Sequence, residues 1–286
     1  MSRYRKILVA YDGSESARNA LEQAIRLADE DKSWIKVVAV LPSYQGELEL
    51  VGVANIKEAM EGPGRKLLAE AKTIATAKGV HILTNLEQGE PYERIVHVAD
   101  DENCDLIIMG RKGLNRLERA LMGSVTARVI GTTSKDVLVV PAHGAIAWDR
   151  PLVATDGSKY GNMAVDDACR IAQARGVPLT AVSVVYTNDE FSALAPRILD
   201  DLINQSREML EGVRQRAEEQ GVKLTPVVME GEPHEAILAA AAKLPATLII
   251  MGSHGKKGLT RLLMGSVTER VIGLSTCPVL ISHLSS

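Results

Sequence analysis

Two short runs carry the residues that could do chemistry in this chain, and each occurs twice. The first is Asp12-Gly13-Ser14, matched by Asp156-Gly157-Ser158. The second is Gly110-Arg111-Lys112-Gly113, nine residues, then Gly123-Ser124-Val125-Thr126. Its match is Gly252-Ser253-His254-Gly255, nine residues, then Gly265-Ser266-Val267-Thr268. Such runs suit anion binding. Glycines let backbone N–H groups approach a ligand, and a helix start offers unpaired donors with a partial positive charge. Ser124 and Thr126 add hydroxyl donors there. Arg111, Lys112, Arg116 and Arg119 bring cations to the first loop, and Lys256, Lys257 and Arg261 to the second. A plainer use also fits: a tight turn with a serine cap at Gly123-Ser124, and a carboxylate turn at Asp12.

Signatures of a dedicated catalyst are missing. The loops lack the G-x4-G-K-[ST] spacing that supplies a phosphate lysine and a magnesium hydroxyl. His81, His97, His143, His234, His254 and His283 show no metal-ligand spacing. His254 reads as a polar loop residue or phosphate donor, and His234, after Pro233, as a surface residue at a helix start. Ser14-Glu15-Ser16 is not a nucleophile elbow, because Gly-x-Ser-x-Gly is absent. Slow hydrolysis of a bound nucleotide stays open.

The elements that position these runs are themselves written twice. LMGSVTARVIG (121–131) recurs as LMGSVTERVIG (263–273), and Leu106–Gly110 recurs as Leu248–Gly252, both at an offset of 142. Gly89-Glu90-Pro91 recurs as Gly231-Glu232-Pro233. Leu8-Val9-Ala10 recurs as Leu152-Val153-Ala154 at an offset of 144, so the first copy holds two extra residues between. Periods of 20–50 residues mark solenoids; this is one domain duplicated. The boundary falls near Ala142–Arg150, giving a first domain over 1–143 and a second over 148–286.

Within the first copy, apolar strands are expected at Ile7–Tyr11, Ile35–Leu41, Val80–Leu86, Leu106–Met109 and Val137–Val140. Helices follow Ser14, cover about Gly64–Lys78, end near Glu102 and start at Ser124. The second copy repeats the order, with strands near Leu152–Ala154, Leu179–Val185, Leu224–Met229, Leu248–Met251 and Val279–Ile281. Strands without polar alternation, separated by helices, imply a parallel sheet buried on both faces and a doubly wound α/β fold. Ligands of such sheets bind beyond the carboxyl ends of the strands, where both glycine runs fall. Thr247 stands where the first copy has Asp105, and both read as surface positions at a strand edge.

Composition narrows the function classes. The chain has 286 residues, 46% hydrophobic and 24% charged, with 33 Lys+Arg against 36 Asp+Glu. This near balance speaks against coating nucleic acid, whose non-specific affinity needs a basic surface. No stretch reaches the roughly 20 apolar residues that insert across a bilayer, and the apolar run that stops at Asp12 is too short for the core of a signal peptide, so none is expected. Cys104, Cys169 and Cys277 are far apart, which fits reduced thiols in a cytoplasmic protein.

The opening Lys6–Asp12 and its copy ending at Asp156, the Leu106–Gly110 strand, the glycine loops, and the closing Asp136–Pro141 and Cys277–Ile281 together resemble a tandem universal stress protein. The resemblance covers nearly the whole chain. It implies two five-stranded sheets of order 3-2-1-4-5, of the adenine-nucleotide alpha-hydrolase-like kind, and ATP binding in members that keep the glycine pattern. A magnesium ion would accompany the phosphates. By that similarity Asp12 and Asp156 sit near the nucleoside, and Val40 and Val184 flank adenine. Met109 and Met251 line the pocket edge. Gly110, Gly113, Gly123, Ser124, Val125 and Thr126 wrap ribose and phosphates, as do Gly252, Gly255, Gly265, Ser266, Val267 and Thr268. Aromatic content of only 3% agrees with aliphatic flanking of a base.

The copies do not match the family equally. Arg111-Lys112 replace Ser253-His254, and Arg116 stands where the second copy has Gly258, so the second copy is the better ATP site. The expected role is a nucleotide-binding stress or regulatory protein; a ligand-free interaction scaffold and a weak ATPase are the alternatives. AMP, a cyclic nucleotide or a lipid-derived ligand stay open. Short apolar last strands seek a pairing partner. The resemblance implies pairing through them, giving an intramolecular pseudo-dimer and leaving room for a homodimer through the same strands.

Overall fold

The computed structural model describes residues 4–42, 56–113, 122–255 and 264–283, with backbone alone for 56–60 and 189. In the first half, β1 (Lys6–Ala10), α1 (Glu15–Asp31), β2 (Trp34–Leu41), α2 (Ile56–Ala77) and β3 (Ile82–Gln88) lead to α3 (Pro91–Asp101). Then come β4 (Leu106–Gly110), α4 (Ser124–Thr132) and β5 (Asp136–Val140). The second half runs β6 (Pro151–Ala154), α5 (Lys159–Arg175), β7 (Leu179–Val185), α6 (Asp189–Leu194) and α7 (Pro196–Glu219). It closes with β8 (Leu224–Glu230), α8 (Pro233–Lys243), β9 (Leu248–Gly252), α9 (Ser266–Leu274) and β10 (Val279–Ser282).

The ten strands of the described residues form one sheet, in the order β3-β2-β1-β4-β5-β10-β9-β6-β7-β8. Each half therefore has the expected 3-2-1-4-5 order, parallel throughout. The halves join where β5 and β10 run antiparallel, Leu138 opposite Leu280. The expected pseudo-dimer is thus a continuous sheet. Because β5 and β10 are paired on both edges, neither leaves a free edge for a second chain. The free outer edges are β3 and β8.

Central strands are buried on both faces, as their unbroken apolar runs require. Ile7, Leu8, Val9, Leu106, Ile107 and Ile108 are fully buried. One core layer lies under α1, α2, α5 and α7; the other lies under α3, α4, α8 and α9. Ser14 and Ser158 cap α1 and α5 by accepting from the N–H of Ala17 and of Gly161. Asp105 accepts from the N–H of Arg5 and of Lys6, and Thr247 from that of Arg150, so both polar positions fix the start of a strand.

Three expectations need correction. The helix placed at Gly64–Lys78 starts at Ile56 and runs through Pro63, which removes one helical donor without ending the helix. The third strand begins two residues late, at Ile82, and as an edge strand it is only half-buried. In the second half α6 is an additional helix, capped by Asn188 accepting from Phe191 N–H.

The connection between halves is pinned. Asn19 donates to the carbonyls of Pro141 and Gly144, 2.7 Å each, and Ile146 N–H donates to Gln23 at 3.0 Å. Trp148 is buried beside Tyr4, with the Arg175 guanidinium 5.6 Å from its ring centre.

Burial pushes the thiols of Cys104 and Cys169 up to about 11. Neither should react with a thiol reagent in the folded chain at pH 8, and both should react once guanidinium unfolds it. Rapid modification without denaturant would contradict this packing.

His283 ends β10 against the first half. Its Nε2 lies 2.8 Å from the Ile130 carbonyl, and its N–H donates to Asp136, which also accepts from Tyr4. Desolvation holds this histidine below its ordinary pKa near 6.5. A depressed folded pKa means the unfolded chain takes up the proton first. Stability should therefore fall as pH drops below about 6.5, and His283→Gln should flatten that fall in urea titrations.

Candidate functional site

Beyond the carboxyl ends of β6, β7 and β9 lies a cleft of about 510 Å³. Ala154, Val182, Val184 and Ile237 form an apolar wall; Asp156, Gly252, Gly255, Gly265, Ser266, Val267 and Thr268 form the polar one. Met251, buried, lines its floor. Every residue expected of the second-half site is brought together here. The volume falls within the roughly 300–1,000 Å³ of small-molecule clefts.

Local geometry explains the residue types. Gly13 and Gly157 turn the chain with φ of 77° and 75°, where side chains are strained. The carboxylate that precedes each turn accepts from a serine N–H, Asp12 from Ser14 at 3.0 Å and Asp156 from Ser158 at 2.9 Å. A Cβ on Gly255 would lie 2.7 Å from Asp156 Oδ2; one on Gly113 would lie 2.6 Å from Asp12 Oδ2. Each carboxylate therefore rests against its own glycine loop.

Two glycines serve the packing instead. A Cβ on Gly252 would meet the Tyr160 backbone at 2.7 Å, and one on Gly110 the Ala17 nitrogen at 2.7 Å. Gly123 N–H donates to the Arg111 carbonyl and Gly265 N–H to that of Ser253, both at 2.9 Å. These two amides close the loop and are spent. What the helix start offers a ligand is the next three N–H groups. In α9 the first intrahelical bond is Glu269 to Gly265, so the amides of Ser266, Val267 and Thr268 precede it. The same holds for Ser124, Val125 and Thr126 in α4, whose first bond is Ala127 to Gly123.

The threonines are not ligand donors through their hydroxyls. Thr126 donates to the Gly110 carbonyl at 3.1 Å and Thr268 to that of Gly252 at 3.0 Å, both side chains buried. They tie each helix start to its strand end. Ser124 and Ser266 are exposed. The serine cap itself was misplaced: Gly123 and Gly265 hold the cap position and the serines are the first helical residues.

The first-half residues occupy matching places. Val40 is half-buried at the end of β2, Met109 is buried, and Gly110 and Gly113 flank the Lys112 carbonyl, which accepts from Ser14 and Ser16. Tyr11 stands where the second half has Thr155. Its hydroxyl donates to Glu70 at 2.8 Å, and burial together with that carboxylate pushes it up to about 12. Arg111 differs most from expectation. Its guanidinium leaves the first loop and donates to the Ser275 carbonyl at 2.8 Å, across the junction of the halves. Arg116, Arg119, Lys256, Lys257, Gly258 and Arg261 lie outside the described residues.

Among the lining residues that sequence reasoning missed are Glu232 and Pro233 at the start of α8, and Ile237 and Tyr186. The repeated Gly-Glu-Pro was a signal for the first two. Glu232 lies 3.1 Å from His234 Nδ1 and 3.5 Å from Arg270, linking α8 to α9. His234 is buried, contrary to the surface position expected of it. His254 lines the cleft with Nδ1 3.1 Å from Ser253 Oγ and its ring against Tyr160, centroids 5.3 Å apart. Among the described residues, no three His, Cys, Asp or Glu side chains are grouped to hold a metal ion. Nor is any described helix long and apolar enough to cross a membrane.

Comparison with known proteins agrees with this architecture. The model of the universal stress protein family matches twice, over residues 3–141 and 148–283. Universal stress protein MJ0531 of Methanocaldococcus jannaschii is 36% identical over 143 residues, 49% of this chain and 84% of that protein. Universal stress protein Rv2005c of Mycobacterium tuberculosis is 27% identical over 239 residues, 79% of this chain and 78% of its own. A universal stress protein structure from Archaeoglobus fulgidus superposes with a TM-score of 0.72 at 24% identity, covering 98% of this chain and 97% of that one. The chain belongs to the universal stress protein family and carries two of its domains in tandem.

Proposed function

We propose that the second-half cleft binds an adenine nucleotide, ATP in the first instance, and that the chain works as a nucleotide-dependent regulatory binder. One observation carries this reading: a single cleft joins an apolar slot for a base to the three leading amides of α9. Val184 and Ile237 would flank the base, and Asp156 would accept from the ribose. The N–H groups of Ser266, Val267 and Thr268 would take the phosphates at the positive end of the helix. Any magnesium ion would arrive with the phosphates. Ligand bound there orders the loop and its helix and shifts which surface a partner meets.

A dedicated catalyst is not part of the proposal: the glycine loops lack the spacing that supplies a phosphate lysine and a magnesium hydroxyl, and His254 packs against Ser253 and the Tyr160 ring. Isothermal titration of the full chain with ATP tests the reading. Saturable binding is expected; no heat at millimolar ATP favours the ligand-free scaffold, in which Gly252 and Gly110 serve packing alone. Phosphate release that survives both Ser266→Ala and Gly265→Val would place any ATPase activity elsewhere.

A further inference from the structure

Arg111 belongs to the first-half loop through its backbone and to the second half through its side chain. Its N–H donates to the Val140 carbonyl at 3.0 Å and its carbonyl accepts from Gly123, the cap of α4. The guanidinium, half-buried and partly stripped of water, donates to the Ser275 carbonyl at 2.8 Å. Ser275 is buried and forms the C-cap of α9, the helix whose first turn lines the second-half cleft. No such bridge is built in the other direction by its counterpart, Ser253, whose hydroxyl sits 3.1 Å from His254 in its own loop.

We infer that Arg111 couples the two glycine loops, so that nucleotide held by one loop tightens binding at the other. The inference rests on the nucleotide reading above, extended to both halves. A helix ends in unpaired carbonyls and partial negative charge, and a fixed cation there stabilises it. Arginine stays charged even when half-buried. Ligand in the first loop immobilises the Arg111 backbone, and with it the cation on the C-terminal end of α9. An ordered α9 then costs less to organise around phosphates at its other end. Coupling of binding free energies is reciprocal, so nucleotide in the second-half cleft must favour binding at the first loop equally.

Calorimetric titration of the full chain with ATP tests this. Gly113→Val and Gly255→Val each disable one loop and give the affinity of the other alone. The wild-type chain should bind two nucleotides, with the second event about fivefold tighter than the single-loop values allow. Arg111→Ser should return both events to those values. Amide exchange adds a readout that needs only one ligand: in Gly255→Val, ATP should slow exchange across 266–274, and adding Arg111→Ser should abolish the slowing. Two wild-type events at the single-loop affinities, a single event, or coupling that survives Arg111→Ser overturns the coupling and leaves the nucleotide reading intact. A wild-type chain that binds no ATP overturns both.

Discussion

Gly255→Val should cost the second-half cleft its nucleotide while the chain stays folded. The added Cβ would fall 2.7 Å from Asp156 Oδ2 and, among the described residues, meets nothing but that carboxylate within 4 Å, so the carboxylate must swing away. A charge-assisted hydrogen bond contributes about 1.5–3 kcal/mol, and each 1.4 kcal/mol is a factor of ten. The expected loss is therefore about 10- to 150-fold in ATP affinity. Calorimetry gives the affinity and a melting curve the fold. Gly252→Ala is the contrast, because there the obstacle is the Tyr160 backbone, which cannot yield. That overpacking should cost about 1–3 kcal/mol of stability. Gly255→Val binding ATP as tightly as wild type would remove this loop from the site.

Leu280→Ala should destabilise both halves together. Leu280 is fully buried at the centre of β10, opposite Leu138 of β5, and belongs to a core layer with members from both halves. Truncating a buried leucine costs about 2–5 kcal/mol, which for a chain of this size lowers the melting temperature by roughly 5–15 °C. One cooperative transition at the lower temperature is expected. Two separate transitions, with the first half melting where it did before, would mean that the sheet is not energetically continuous.

Most of the architecture was readable from apolar runs. Leu106–Met109 and Val137–Val140 lack polar alternation because both faces are covered, and that pattern alone points to parallel central strands. Ser14 announced its helix because a serine before an amphipathic run accepts from the orphan amide three residues on. What stayed hidden depends on distance in space. Pro63 looks like a boundary because its cost to a helix is local, while α2 gains its stability by packing on β2 and β3. Asp189–Leu194 is too short for periodicity to register. His234 follows a Pro at a helix start, a position usually wet, yet the fold buries it with Nδ1 3.1 Å from Glu232.

The site was legible in the same uneven way. Duplicated glycine spacing found the loops, Asp156 fell where a strand end had to be, and Val184 came from the family resemblance. The division of labour among the loop residues was not legible. A threonine hydroxyl two residues into a helix looks like a ligand donor until the strand-end carbonyl beside it is seen. Arg111 next to a glycine reads as a phosphate cation, yet its length carries it to Ser275 of the other half. Such choices are made by the nearest acceptor in three dimensions.

The most direct measurement is a crystal structure of the full chain grown with saturating ATP. The phosphates should lie within hydrogen-bond distance of the amides of Ser266, Val267 and Thr268, with the adenine between Val184 and Ile237. Leading amides of α4 and α9 that both face only solvent, under nucleotide excess, would contradict the assignment.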